Sequence, residues 1–478
     1  MLNDVKGEVR RSEREDASSH LLVQRLRSVV LPKPMFRSAI LRKRTNDFVF
    51  VCPIVITTGR RNAPTGPSFF LYRDKGDRIV TTVLKFGGSS VATVEQIQSI
   101  ANYLKSRAAE GEKLVVVVSA MGKMTDSLIA QAQAITDRPE RRELDRLLAI
   151  GEEQTISLLS IALNSLGVKA LSQTGAQAGI STMGVHTKSK IKQIDGDLLR
   201  QKLETYDVVI VAGFQGVNEL GDVTTLGRGG SDTTAVALAA VLDKRCEIYT
   251  DVDGVYTADP RIHATAQPIP HISYDEMMEM SALGSKVMEM RSVELGKKYG
   301  VHIFVGKTLE SKRGTWIMEA TETMEQKAVT SVSVTKNVLT VSIKHVPQTN
   351  AAVADIFELI SNRHVNIDMI SQTTFDSDIF LSFSCPLDEE EFLDEALKDI
   401  MDRFTTVKVD RHDQHAKLSV VGIGMRDATG VASKLFAIFR AENIPFYQVT
   451  TSEISISYTI AQADIERTVA AIANAFEL

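Results

Sequence analysis

Residues Ile79–Phe86 read IVTTVLKF, a β-branched run that ends on Gly87, Gly88, Ser89 and Ser90 and gives way to a helical apolar period from Val94 to Leu104. Strand, glycine turn, helix is a restrictive order. Without Cβ atoms the turn lets a ligand approach the backbone, and the helix after it offers unpaired N–H groups to an anion. The order recurs. Leu114–Ser119 (LVVVVS) runs into Ala120, Met121, Gly122, Lys123, Met124 and Thr125 before a further helix, and Val208–Ala212 (VVIVA) runs into Gly213, Phe214 and Gln215. Apolar strands alternating with helices predict an α/β domain on a mainly parallel sheet, with ligands beyond the carboxyl ends of its strands. Lys85 precedes the glycines, so this is not a Walker loop; an ammonium there can still reach a β- or γ-phosphate.

Thr224–Thr234 (TTLGRGGSDTT) sets Arg228 among three glycines ahead of the apolar helix AVALAAVL. A guanidinium so placed suits bidentate capture of a carboxylate, and Ser231, Asp232, Thr233 and Thr234 are expected to cap the helix. A further strand, Cys246–Thr250, leads into the acidic stretch Asp251–Arg261, which lacks the ligand spacing of a calcium loop. Met277, Met278, Met280, Met288 and Met290 are expected in the core.

The 478-residue chain has net charge −5 and is 44% hydrophobic, a globular balance that gives no reason to expect a nucleic-acid partner. Residues 1–78 differ: they hold 16 Lys and Arg against 8 Asp and Glu, with the basic cluster Arg42, Lys43 and Arg44. This segment is expected to be a poorly ordered basic extension or translated sequence upstream of the true start, with a basic arm for nucleic acid or an acidic partner as the other reading; its acidic residues argue against a transit peptide. Cys52, Cys246 and Cys385 have no metal-ligand spacing and an odd count, which fits a reducing cytoplasm. No apolar run is long enough for a membrane span.

The C-terminal part repeats itself. VLTVSIK, a helix over about Asn350–His364, VNIDMISQT and IFLSFSC are answered by LSVVGIG, a helix over about Ala428–Asn443, IPFYQVTTS and ISISYTI. The first copy ends in a strand at Val407–Arg411; Val329–Val334 is a spare strand that could complete the sheet of the second.

Taken together, KFGGSS (Lys85–Ser90), SAMGKMT (Ser119–Thr125), Gly151–Glu152, TGAQAG (Thr174–Gly179), GRGGSD (Gly227–Asp232) and TDVDGVYTADPR (Thr250–Arg261) stand in the order of the aspartate kinase family, which the chain resembles from about Val83 to Leu478. The resemblance implies an amino-acid-kinase catalytic domain at 79–325 and two ferredoxin-like ACT domains at 326–413 and 414–478. It implies phosphoryl transfer from ATP, with Mg2+, to the side-chain carboxylate of L-aspartate, in a monofunctional enzyme of lysine, threonine and methionine synthesis. Lys85 and Asp232 would be catalytic. Ser119, Thr125, Glu152, Arg228 and Ser231 would bind aspartate, Glu152 taking its ammonium, although Glu153 beside it is equally acidic. Lys85, Gly87, Gly88, Ser89, Thr250, Asp251, Tyr256, Arg261, Lys286 and Val287 would surround ATP, and Mg2+ would be held by phosphate oxygens and water with no protein ligand. Feedback by lysine or threonine would act at Gln348, Thr349, Asn350, Asn366, Ile367 and Asp368 in the first ACT copy and at Met425, Arg426, Asp427, Ala428, Thr429, Gly430 and Val431 in the second. ACT sheets would pair into a homo-oligomer. The competing readings are a glutamate or acetylglutamate kinase and a non-catalytic amino-acid sensor.

Overall fold

Alternate residues of the first strand, β1 (Thr81–Phe86), face opposite apolar layers: Val83 packs into one, Leu84 and Phe86 into the other. A strand buried on both faces belongs between two layers of helices. The computed structural model describes residues 81–310, 313–320, 327–375 and 378–478, so the expectations for 1–78 and for Cys52 lie outside the described residues.

Along the chain follow α1 (Val94–Ala109), β2 (Lys113–Val118), α2 (Met124–Gln133), α3 (Arg141–Ser165), β3 (Ala170–Gln173), β4 (Ile180–Met183), β5 (Lys190–Ile194), α4 (Gly196–Thr205) and β6 (Val208–Ala212). Then come β7 (Gln215–Val217), β8 (Val223–Thr225), α5 (Gly230–Leu242), β9 (Cys246–Thr250), β10 (His271–Ser273), α6 (Tyr274–Ala282), α7 (Met290–Tyr299), β11 (Ile303–Lys307) and β12 (Gly314–Met318). The main sheet has the order β10-β12-β11-β9-β1-β2-β6-β3 and is parallel except where β11 meets β12. Helices α1 and α3 cover one face and α5, α6 and α7 the other. Each fully buried Val or Leu in these layers contributes roughly 1.5–3 kcal/mol. A smaller sheet, β5-β4-β7-β8, lies apart from it in the strand pairing. Met277, Met280 and Met288 are buried as expected, but Met290 is 46% exposed because it opens α7.

The C-terminal part is one antiparallel sheet. Its elements are β13 (Ser331–Pro347), α8 (Asn350–Asn362), β14 (Asp368–Phe375), β15 (Asp378–Pro386), α9 (Glu390–Arg403), β16 (Lys408–Val421), α10 (Val431–Ala441), β17 (Phe446–Thr451), β18 (Ser455–Ala461) and α11 (Ile465–Phe476), in the order β14-β15-β13-β16-β18-β17. The two repeats share their central strands. The first half of β13 pairs with the second half of β16, Val332 opposite Val420, so the spare strand does extend the second repeat. The expected boundary at 413/414 falls within β16, a single strand. Each repeat keeps its own apolar core beneath its helices. The other face carries buried polar groups, and the sheet curls until Gln448 of β17 bonds Ser382 of β15.

Helix α6 joins the two parts. Buried Glu276 accepts from Thr330 Oγ1 (2.6 Å) and from the Ile423 amide (3.1 Å), and Glu279 accepts from Ser455 Oγ (2.6 Å). No described helix is long and apolar enough to cross a membrane.

Candidate active site

The carboxyl ends of β1, β2, β6 and β9 bring four loops together through backbone bonds. The Gly87 amide donates to Tyr249 O (3.1 Å), the Ser119 amide to Phe86 O (3.2 Å), the Gly213 amide to Val118 O (3.1 Å), and the Gly122 amide to Gly88 O (3.0 Å). Lys85 projects from the last turn of β1 and meets Asp232 at 2.6 Å, with both side chains largely shielded from water. In so dry a place the pair is held firmly.

Asp232 lies in the first turn of α5, which begins at Gly230, earlier than the sequence suggested. The capping expectation is therefore corrected. No side chain caps α5, and Thr233 and Thr234 return their hydroxyls to the carbonyls of Gly229 and Gly230. Gly229, the residue before the helix, must be glycine because it has φ 64° and because Glu289 packs so closely that a Cβ would come within 2.3 Å of its side chain. Arg228 beside it is exposed, with no hydrogen-bond or ionic partner among the described residues. Ser231 is buried against Gly213.

Glu152 and Glu153 separate cleanly. Glu152 is buried on α3, where Gly151 packs against Ala120, and its Oε1 accepts the Ala120 amide at 3.0 Å. Its Oε2 is buried with no protein partner. Burial raises its carboxyl to about 7 despite the amide bond. Glu153 is only half-buried. Ser119 follows β2, and Thr125 sits in the first turn of α2. An ammonium arriving at Glu152 Oε2 would satisfy the orphaned acceptor and ionise the acid.

The expected nucleotide residues lie in two groups. Gly87, Gly88 and exposed Ser89 form the turn after β1. Thr250 ends β9; its hydroxyl donates to Asp251 (2.9 Å), and its carbonyl accepts from the Thr308 amide (3.0 Å). Thr308 in turn bonds Ser90 (Oγ–Oγ1 2.6 Å). Lys286 is exposed without a partner among the described residues, and Val287 packs on the main core. Tyr256 donates to Asp253 (2.8 Å) and leans on the core of the second repeat, while Arg261 forks onto Asp259. Next to Tyr256, Thr257 O accepts the Val332 amide at 2.7 Å, which ties this loop to β13.

Two groups of residues escaped the sequence reading. Phe214 has φ 68° and packs on Gly230; its amide donates to Thr234 Oγ1 (3.2 Å) and its carbonyl accepts the Leu226 amide (2.8 Å). Its place between Gly213 and Gln215 at a strand end was the available signal. Fully buried Asp145 accepts from Thr225 Oγ1 (2.5 Å), from the Thr187 amide (3.0 Å) and from His186 Nδ1 (2.7 Å), anchoring the strand before Arg228. Nothing local in the sequence marks it.

The expected effector residues of the first repeat do not converge within one chain. Gln348 and Asn350 are exposed at the end of β13, whereas Asp368 starts β14 opposite Ser384, which pairs with Thr340. At about 3.3 Å per residue the two ends are roughly 20 Å apart. Asn366 bonds Glu389, and Ile367 packs on the first repeat's core. In the second repeat Met425 closes a short turn (Ile423–Arg426), followed by Asp427, Thr429, Gly430 (φ 89°) and Val431 at the start of α10.

Comparison with known proteins follows the same division. Residues 80–307 match the amino acid kinase family, and residues 418–476 match the ACT domain. Aspartokinase 2 of Bacillus subtilis is 43% identical over 397 residues, covering 83% of this chain and 97% of that protein. The aspartate kinase of Pseudomonas fluorescens is 42% identical over 401 residues, covering 83% and 97%. Among solved structures, E. coli aspartokinase III in complex with aspartate and ADP shares the fold with TM-score 0.66 at 22% identity, over 84% of this chain and 100% of that one. With identity of this order across nearly the full length of the first two relatives, the chain belongs to the aspartokinase family.

Proposed function

We propose that the protein transfers the γ-phosphoryl group of ATP to the side-chain carboxylate of L-aspartate, giving 4-phospho-L-aspartate for lysine, threonine and methionine synthesis. The observation that carries this reading is the buried Glu152 oxygen without a protein partner, beside the finding that the Arg228 guanidinium is exposed and unpartnered among the described residues. One group suits the ammonium of an amino acid and the other its α-carboxylate. The acceptor carboxylate is ionised near neutrality, so no general base is required. Lys85, held by Asp232, offsets the charge that builds on the phosphoryl oxygens, and the amides of the Gly87–Ser89 turn add donors. Ser119, Thr125 and Ser231 line the aspartate side. Thr250, Asp251, Tyr256, Arg261, Lys286 and Val287 border the nucleotide.

Mg2+ would come bound to the nucleotide and neutralise phosphate charge. The nearby acids fit that role, since Asp232 is engaged by Lys85 and Asp251 by Thr250.

The C-terminal ACT sheet supports feedback control by lysine or threonine, and its bonds to α6 and to Thr257 give that control a physical route. Separation of Gln348 and Asn350 from Asp368 within one chain supports a homo-oligomer in which a second copy supplies the missing half. The buried free thiols of Cys246 and Cys385 fit a cytoplasmic protein.

Turnover of ATP with L-aspartate in hydroxylamine tests the reaction. Aspartyl hydroxamate is the expected product. Hydroxamate from glutamate or acetylglutamate alone would overturn the substrate assignment, and none from any of the three would overturn the kinase reading.

A further inference from the structure

Arg291 stands in the first turn of α7, and nothing in the site described above gives it a role. Its guanidinium is half-buried, and burial draws its pKa below the usual arginine value although Glu289 and Glu294 oppose the shift. No carboxylate among the described residues lies within ion-pair distance of it. Its acceptors there are two main-chain carbonyls: Nη1 donates to Leu226 O (3.0 Å) and Nη2 to Ser189 O (3.3 Å). A charge taken partly out of water for two neutral acceptors is a poor way to stabilise a fold. Its place in the molecule explains it better.

Both carbonyls belong to the base of the glycine loop. The Leu226 amide donates to Phe214 O (2.8 Å), the Ser189 amide to Thr225 O (3.0 Å), and Thr225 Oγ1 to buried Asp145 (2.5 Å). Past that base the backbone softens, since Gly227 (φ 78°) and Gly229 (φ 64°) flank Arg228 on either side. The start of α7 grips the loop at both ends of this soft stretch. Arg291 holds Leu226, two residues before Arg228, and Glu289 packs on Gly229, the residue after it. With glycine on each side, these fixed points decide where the wet guanidinium of Arg228 stands.

We propose that Arg291 is a positioning residue for aspartate: its fork ties Leu226 to Ser189 and thereby holds Arg228 where it meets the α-carboxylate. The proposal deepens the reading of Arg228 given above and rests on it. Methionine at this position removes charge and fork together. Lysine keeps the charge but offers one nitrogen on a flexible stem, which holds two separate carbonyls less rigidly than a planar fork.

The test is steady-state kinetics on the full chain, arranged as a double-mutant cycle with Arg228→Ala. Arg291→Met should raise the aspartate KM about ten-fold, the cost of misplacing a binding group, with kcat lowered less than about three-fold and the ATP KM at the wild-type value. Arg291→Lys should recover part of the loss, leaving a rise of about three-fold. In the Arg228→Ala background, Arg291→Met should change the aspartate KM less than about two-fold, because the group it positions is gone. If Arg291→Met does not fold, Arg291→Lys takes its place in the cycle. A wild-type aspartate KM in the folded variant would overturn the proposal. So would the same rise in both backgrounds, which would mean that Arg291 acts independently of Arg228, or a full recovery in Arg291→Lys, which would mean that charge alone matters. An unaltered aspartate KM in Arg228→Ala itself would instead overturn the reading of Arg228 as the carboxylate ligand.

Discussion

The strand-end cluster and the glycine loop are built in opposite ways. At the strand ends, Lys85 already grips Asp232, and Glu152 already grips the Ala120 amide, all within a dry layer. On the glycine loop, and on the segment after α6, Arg228 and Lys286 are exposed and unpartnered among the described residues. The first region has met its desolvation cost during folding, so it can be stiff in the free enzyme. The second leaves its cations hydrated, as the ligand capture proposed above requires. Stabilisation of developing charge needs groups fixed in advance, whereas capture of a soluble anion is served by groups that meet it in water.

Kinetics can break this comparison. Lys85→Ala should lower kcat about 10²- to 10³-fold with little change in the aspartate KM; steady-state assays that find a rise in KM alone would place Lys85 with the capturing groups. Arg228→Ala should raise the aspartate KM about 10- to 100-fold, the worth of a charge-assisted bond, and spare kcat. Equal losses in kcat and kcat/KM would make Arg228 part of the fixed region.

Glu152 sharpens it through pH. Its carboxyl, raised from 4.5 to about 7 by burial, favours the folded state when protonated. That advantage is full below pH 4.5 and is lost as pH rises through about 7, a difference of about 3 kcal/mol at 1.36 kcal/mol per unit. Glu152→Gln should therefore stabilise the free protein at pH 8 and change it little at pH 4, which denaturant titration would show. The aspartate KM of the wild type should also rise as pH falls through about 7, because a neutral Glu152 cannot pair with ammonium. A flat profile would mean that the acid lies outside the pocket. The smallest effect is expected for Lys286→Ala, a roughly 3- to 10-fold rise in the ATP KM with the aspartate KM unchanged.

Much of the strand-end region was legible because it is local. A β-branched run that stops at glycine predicts a buried strand and a ligand turn, and Lys85 is placed by its position in that run alone. The choice of Glu152 over Glu153 was not local: it depends on which face of α3 meets Ala120. Asp145 and Phe214 were missed for the same reason, since their partners lie far along the chain or depend on a positive φ. The capping expectation at Ser231–Thr234 failed because α5 begins earlier, at Gly230 after a left-handed Gly229 that sits against the distant Glu289.

The repeats show the same limit. Two strand–helix–strand–strand blocks were visible as patterns of apolar residues. Their fusion through β13 and β16, and the pairing of Lys417 with Asp368 across them, were not. By itself the sequence determined the α/β class, the strands, the glycine turns and the residue types at the site, because period and turn chemistry act between neighbours. Only the tertiary structure decided which charges are dry and paired and which are wet and free, because burial and pairing are set by residues that distant parts of the chain bring together.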